Sequence, residues 1–223
     1  VLFFGLFLKK TSFGVSILNH SVKNMDWKTP SDSIKTATFA GGCFWCIESS
    51  FEKVEGVIEA VSGYTGGLKK NPTYKEVARG VTGHLEAIQV HFDTTKVSYE
   101  NLLENFWRMI NPTDDGGQFV DRGAQYTSAI FYHNNKQKIL AQESKEALKK
   151  SGKFKNPIIT PIRKAGPFYK AEEYHQDFYK KNSTRYHIYR FSSGRDQFID
   201  RIWGKEKFYK SKKISQTKNK YSK

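Results

Sequence analysis

A change of hydrophobic period between residues 35 and 56 constrains this chain most. KTATFA, residues 35–40, is rich in β-branched side chains and reads as a strand starting at Ile34 and ending at Gly41-Gly42. From Cys43 the period lengthens. Ile47, Phe51 and Val54 fall at i, i+4 and i+7, one apolar stripe of a helix that stops near Gly56. Strand, double glycine and helix follow one another directly, and the only two cysteines, Cys43 and Cys46, lie at the start of that helix.

The remaining pattern alternates in the same way. GVIEAVSGY (56–64), HLEAIQVHFD (84–93) and AQYTSAIFY (124–132) read as strands. NPTYKEVARG (71–80) turns into a short helix. Ser98 caps a helix through Ile110, with Leu102, Leu103, Phe106 and Ile110 inward. Residues 111–123 are a Gly/Asp-rich loop, Asn135 caps a helix through Lys150, 156–165 is extended, and AEEYHQDFYKK (171–181) reads as helical. These elements predict an α+β fold, a two-layer α/β sandwich with a mixed sheet flanked by helices. One domain is expected over residues 34–203, after a leader and linker at 1–33 and before a basic, disordered tail at 204–223.

The formal net charge of +15 does not by itself imply nucleic acid. Residues 204–223 hold eight lysines and one glutamate, so +7 of the charge sits in a stretch without apolar periodicity. No specific nucleic-acid partner is expected. Two cysteines make no disulfide framework, and a zinc site would need two further ligands. His84 and His91 have the wrong spacing and strand parity for a metal pair, so no metal is expected. VLFFGLFL at the start is too short for the roughly 20 residues that span a membrane. It reads as the remnant of a signal or anchor, which leaves the compartment open between the cytoplasm and an anchored or exported form.

A thiolate is the reactive form of cysteine, and a helix N-terminus favours it. Cys43 is therefore the candidate nucleophile. The glycines before it let backbone approach a bound group. Cys46 sits three residues on, where Cβ atoms about 5–6 Å apart must move closer for a disulfide. That suits a transient redox bond. Phe44 and Trp45 are either core or the wall of an apolar pocket for a methyl or thioether group. Glu86 shares strand parity with Ile88, Val90 and Phe92, so it points to the apolar face. A carboxyl buried without a cation stays protonated and can donate a proton. Asp121 and Tyr126 flank a glycine at a loop-to-strand junction, a weak signal alone, as is His175.

GGCFWC, SGYTGG, NPTY, GHLEA, FW, GGQFVDRGAQY and EEYHQDF, in this order, resemble the peptide methionine sulfoxide reductase A family over residues 36–203. RYHIYRFSSGRDQFIDRIWG resembles members fused to a B-type reductase domain. The resemblance implies Cys43 as nucleophile on the sulfoxide sulfur and Glu86 as proton donor to its oxygen. It implies Tyr74 and Tyr126 as hydrogen-bond donors to that oxygen, Asp121 as organiser, and Phe44 and Trp45 as the methyl-binding wall. It also implies Cys46 as the residue that resolves the sulfenic acid, no cofactor, and thioredoxin or dithiothreitol as external reductant. The substrates implied are oxidised proteins carrying the S epimer, the free amino acid as well, and the enzyme acts as a monomer. Thr127 stands where Arg is common and Arg122 where His or another residue is common, and both bear on affinity only. A thioredoxin-like disulfide oxidoreductase and a basic binding protein are the alternatives; neither gives a role to Tyr74, Glu86 and Tyr126.

Overall fold

The computed structural model describes residues 33–207. The leader read at 1–33, save Ser33, and the basic tail beyond Lys207 lie outside them. β1 (Ile34–Gly41), β2 (Val57–Thr65), β3 (Leu85–Asp93), β6 (Ser128–Tyr132), β7 (Ile162–Lys164) and β8 (Phe168–Lys170) form one sheet in the order β7-β6-β1-β3-β2-β8. Every neighbouring pair is antiparallel except β6 with β7. A two-residue hairpin, β4 (Gly117–Gln118) and β5 (Asp121–Arg122), stands apart inside the loop read at 111–123.

The helices are α1 (Phe44–Phe51), α2 (Tyr74–Ala78), α3 (Tyr99–Trp107), α4 (Asn135–Lys150), α5 (Phe178–Lys181), α6 (Ser183–Ser192) and α7 (Arg195–Trp203). The mixed sheet flanked by helices is the α+β arrangement the sequence predicts. Ala37, Phe39, Ile88, Val90 and Phe92 face the main core, where Phe39 stacks between Phe51 and Phe106 at 5.0 and 4.9 Å. Ala40, Leu85, Ala87, Ala129 and Phe131 pack on the opposite face, as strand alternation requires. Among the described residues no helix is long and apolar enough to cross a membrane.

Several boundaries differ from the sequence reading. Asn134, not Asn135, caps α4: its side chain accepts from the Gln137 N–H at 2.9 Å. Residues 124–126 form a 3-10 turn before β6 rather than strand. The helix read at 171–181 is broken. Glu173–His175 form a 3-10 turn, Asp177 takes a left-handed φ of 54°, and only then does α5 begin. Gly204–Glu206 also form a 3-10 turn, tied to the domain by the bond from Arg108 Nε to the Glu206 carbonyl at 2.8 Å. The folded chain thus runs past the boundary read at 203.

Candidate active site

β1 runs into α1 through Gly41-Gly42. Gly42 has φ +81°, and a Cβ there would stand 2.6 Å from Gln118 Cβ, so the tight turn needs glycine. Cys43 is the N-cap of α1 and offers no side-chain cap bond. Its carbonyl accepts from the Cys46 N–H at 3.1 Å. The first free N–H of the helix, that of Phe44, is donated to Glu86 Oε2 at 3.0 Å. Glu86 comes from the middle of the sheet, where β3 pairs it with Tyr64 of β2. It is buried, as its parity with Ile88 and Val90 suggested.

Cys43, Phe44, Trp45, Tyr74, Glu86, Asp121, Tyr126 and Tyr189 line one cavity of about 170 Å³. Seven of these eight residues are candidates from the sequence; Tyr189 is not. The eighth sequence candidate, Cys46, is fully buried beside Phe178 and Tyr186 and does not line the cavity. A larger groove of about 650 Å³ touches Ser50, Arg190 and Asp196. It contains no thiol, and its Asp196 and Asp200 are paired with Arg190 and Lys207, so redox chemistry belongs to the smaller cavity.

Each wall residue is held from behind. Trp45 stacks on Phe178 at 3.7 Å, and its Nε1–H donates to His175 Nδ1 at 3.1 Å. His175, a weak signal in the sequence, is thus a buried packing residue behind the wall. Burial pushes it down to about 4, so it is a neutral acceptor at physiological pH. Glu172 accepts from the Tyr74 N–H at 2.8 Å and from the Tyr64 hydroxyl at 2.7 Å, pinning α2 to the sheet. Tyr189 donates to Asp121 Oδ2. Glu48 ties α1 to β2 and to the Asp177 turn, accepting from the Ser62 hydroxyl at 3.1 Å and the Asp177 N–H at 2.9 Å. Glu48, Glu52 and Asp177 bring carboxylate oxygens within 4.8 Å of one another, but Glu52 is already taken by Lys180 and Tyr179. The cluster is a fastening between α1 and α5.

The electrostatics assign the protons. Burial, working against the Phe44 N–H, raises Glu86 to about 8, with Asp121 and Cys46 adding to the rise. Glu86 is thus a neutral acid at pH 7. Burial, then the charge of Glu86, pushes Tyr74 up to about 12 and Tyr126 further, so both phenols remain donors. Burial raises Asp121, against the Tyr189 bond and the charge of Arg195. The thiols differ from the sequence expectation. Burial first, then the bond to Cys46 and the charges of Cys46, Glu86 and Asp121, push Cys43 well up. The bond from Cys43 pulls Cys46 down to about 7 against burial, with Arg195 and Arg190 helping. The pair therefore loses one proton readily. The helix N–H that would favour a Cys43 thiolate serves Glu86 instead.

One thiol with a second buried behind it, a neutral carboxylic acid and three phenols around a small aromatic-walled cavity define a thiol oxidoreductase acting on a small polar group with an apolar substituent. Comparison with known proteins gives the family. The family profile described as "Peptide methionine sulfoxide reductase" matches residues 35–207. The chain is 57% identical over 174 residues to the peptide methionine sulfoxide reductase MsrA of Bacillus subtilis, covering 78% of this chain and 98% of that protein. It is 56% identical over 170 residues to the Bacillus licheniformis MsrA, covering 76% and 94%. The reduced form of Mxr1 from Saccharomyces cerevisiae superposes with a TM-score of 0.65 at 30% identity, covering 70% of this chain and 90% of that one. Methionine sulfoxide reductase A of Corynebacterium diphtheriae gives 0.58 at 29%, covering 69% and 77%. The chain belongs to the peptide methionine sulfoxide reductase family, and its activity is reduction of methionine sulfoxide in peptides.

Sequence reasoning missed Tyr189, Arg190, Arg195, Glu172 and Glu48 as parts of the site. Tyr189 and Arg190 lie on α6, which shows no clean apolar period and buries a single residue, Tyr186, while Arg195 stands at the start of α7 as a charged residue on the same side as the apolar Ile199 and Trp203. Glu48 reads as the polar face of α1. Glu172 sits in the segment misread as helix.

Proposed function

We propose that the enzyme reduces methionine-(S)-sulfoxide, in proteins and as the free amino acid, through a sulfenic acid on Cys43. The observation that carries this reading is Glu86: a carboxyl held neutral in the same cavity as Cys43, Tyr74 and Tyr126. The sulfoxide methyl packs on Phe44 and Trp45, and its oxygen accepts from Tyr74, Tyr126 and Glu86. Cys43 Sγ attacks the sulfur while Glu86 gives its proton to the oxygen, and the proton displaced from the Cys43 thiol passes to the Glu86 carboxylate. Methionine leaves and Cys43 carries the hydroxyl. Cys46 then attacks that sulfur, water departs and a Cys43–Cys46 disulfide remains. An external dithiol protein of the thioredoxin type restores both thiols. Asp121, held by Tyr189, keeps the polar rim of the cavity in place. Every group the cycle invokes lies in one chain, which supports a monomeric enzyme.

Cys46→Ser tests the resolving role. The variant is expected to release one methionine per chain and then stall when thioredoxin is the only reductant, while a small thiol restores part of the turnover. Steady-state methionine production by the variant with thioredoxin at the wild-type rate would remove Cys46 from the cycle.

A further inference from the structure

Arg195 opens α7 and is 1% exposed. Its Nη2 donates to the Gly41 carbonyl at 3.0 Å and its Nη1 to the Met109 carbonyl at 2.5 Å. The guanidinium carbon lies 4.6 Å from the centre of the Phe119 ring. The absent Cβ of Gly42 leaves room for it, since that atom would stand 3.1 Å from Nη2. Nε is buried without a partner. Among the described residues no carboxylate makes an ion pair with Arg195. Arg190 is the contrast: Asp196 neutralises it at 2.8 Å while its Nη1 reaches the Cys46 carbonyl at 3.3 Å. A buried cation without a direct ion pair is costly, and perturbed charges cluster at functional sites.

We propose that Arg195 is the counter-charge of the Cys43–Cys46 pair, clamped behind the Gly41-Gly42 turn to hold one of the two sulfurs as a thiolate until it resolves the sulfenic acid. This rests on the cycle proposed above. Arg195 touches neither sulfur and acts as a positioning residue through field and turn geometry. The groups facing Cys46 are Cys43, Glu86 of β3, Asp121 of β5, Tyr186, Tyr189 and Arg190 of α6, and Arg195 of α7; α5 contributes Phe178. Of the two arginines, Arg195 is the larger cause of the fall of Cys46 and the one without a direct ion pair, Asp121 being the acid within its field. In the resolving step the Cys46 thiolate attacks the Cys43 sulfur. The S–S bond forms and the S–O bond breaks. The oxygen leaves as hydroxide and becomes water with the Glu86 proton, which solvent replaces. The sulfenic sulfur is reduced and Cys46 is oxidised.

The test is thiolate absorbance against pH on the reduced full chain, for wild type, Arg195→Gln, Arg195→Lys and Arg190→Gln. Wild type is expected to show one thiolate per chain with a midpoint near 7. Arg195→Gln moves that midpoint up by a unit or more, Arg195→Lys leaves it nearly unchanged, and Arg190→Gln moves it less than Arg195→Gln does. Disulfide formation after sulfenic acid formation, followed at pH 7, slows about fivefold or more in Arg195→Gln as the thiolate fraction falls. A folded Arg195→Gln protein that titrates like wild type overturns the proposal. So does a wild type with no thiolate below the ordinary cysteine value of 9.0. Should Arg195→Gln lose its melting transition, Arg190→Gln decides: a retained low titration supports Arg195, and its complete loss there overturns the assignment. A chain that titrates as expected but forms no methionine overturns the reductase cycle and leaves the Arg195 assignment standing.

Discussion

Serine at position 43 is expected to abolish methionine formation, with a loss on the order of 10³-fold or more in single turnover. Cys43 supplies the only sulfur among the cavity-lining residues. A serine hydroxyl in the same place is far less acidic and a far weaker nucleophile toward sulfur. Its oxygen forms no sulfenic acid, so no route to a disulfide remains. Cys46 cannot substitute, because it is fully buried behind the wall, beside Phe178 and Tyr186. Cys43→Ser should keep its melting temperature within a few degrees, since the two side chains differ little in volume. The check is methionine released per chain by the folded variant. Turnover within tenfold of wild type would remove Cys43 as nucleophile.

Glu86→Ala is expected to slow the methionine-forming step by about 10²- to 10⁴-fold, the usual contribution of a positioned general acid. Glu86→Gln should lose less, because the amide still accepts the Phe44 N–H and still donates to the sulfoxide oxygen, though it transfers no proton. The two variants also differ with pH. Wild-type Glu86 is protonated below about 8, so the rate of this step should fall above that pH, and Glu86→Gln should lack the fall. Stability carries the same sign. The carboxyl ionises near 4.5 when unfolded and near 8 when folded, so the fold loses stability progressively across that window as pH rises. Glu86→Gln should therefore raise Tm relative to wild type more at pH 8 than at pH 5. An unchanged Tm difference across that range would mean that Glu86 is ionised in the folded protein.

Glu86 was legible because a strand has a strict two-residue period: three apolar neighbours of equal parity left its side chain one direction to take. The cysteine turn was legible because the period changes at Gly41-Gly42, within a few residues. Arg195 was not legible for the opposite reason. RDQFIDRIW places arginine beside other charged residues, and a charge at a helix start reads as solvated; its burial follows from the closure of α7 over the Gly41 and Met109 carbonyls, a contact across 154 and 86 positions of chain. His175 and Glu172 were lost with the helix misread at 171–181. No local signal marks the left-handed Asp177, which is fixed by its N–H bond to Glu48, 129 residues earlier. The ionisation of the thiols was hidden for the same physical cause. It depends on the burial of Cys43, on its bond to Cys46 and on charges brought from distant elements, Glu86 and Asp121 on one side and Arg195 and Arg190 on the other.

The most direct measurement is a single-turnover assay with fully reduced protein, no added reductant, and the separated S and R epimers of a blocked methionine sulfoxide. Methionine formed and free thiols lost are counted together. One methionine per chain from the S epimer alone, with both thiols consumed, is the expected result; it ties the reaction, its stereochemistry and the Cys43–Cys46 disulfide to one cavity. No methionine from either epimer, in a sample whose two thiols are intact and whose fold is verified, would contradict the proposed chemistry at its first step.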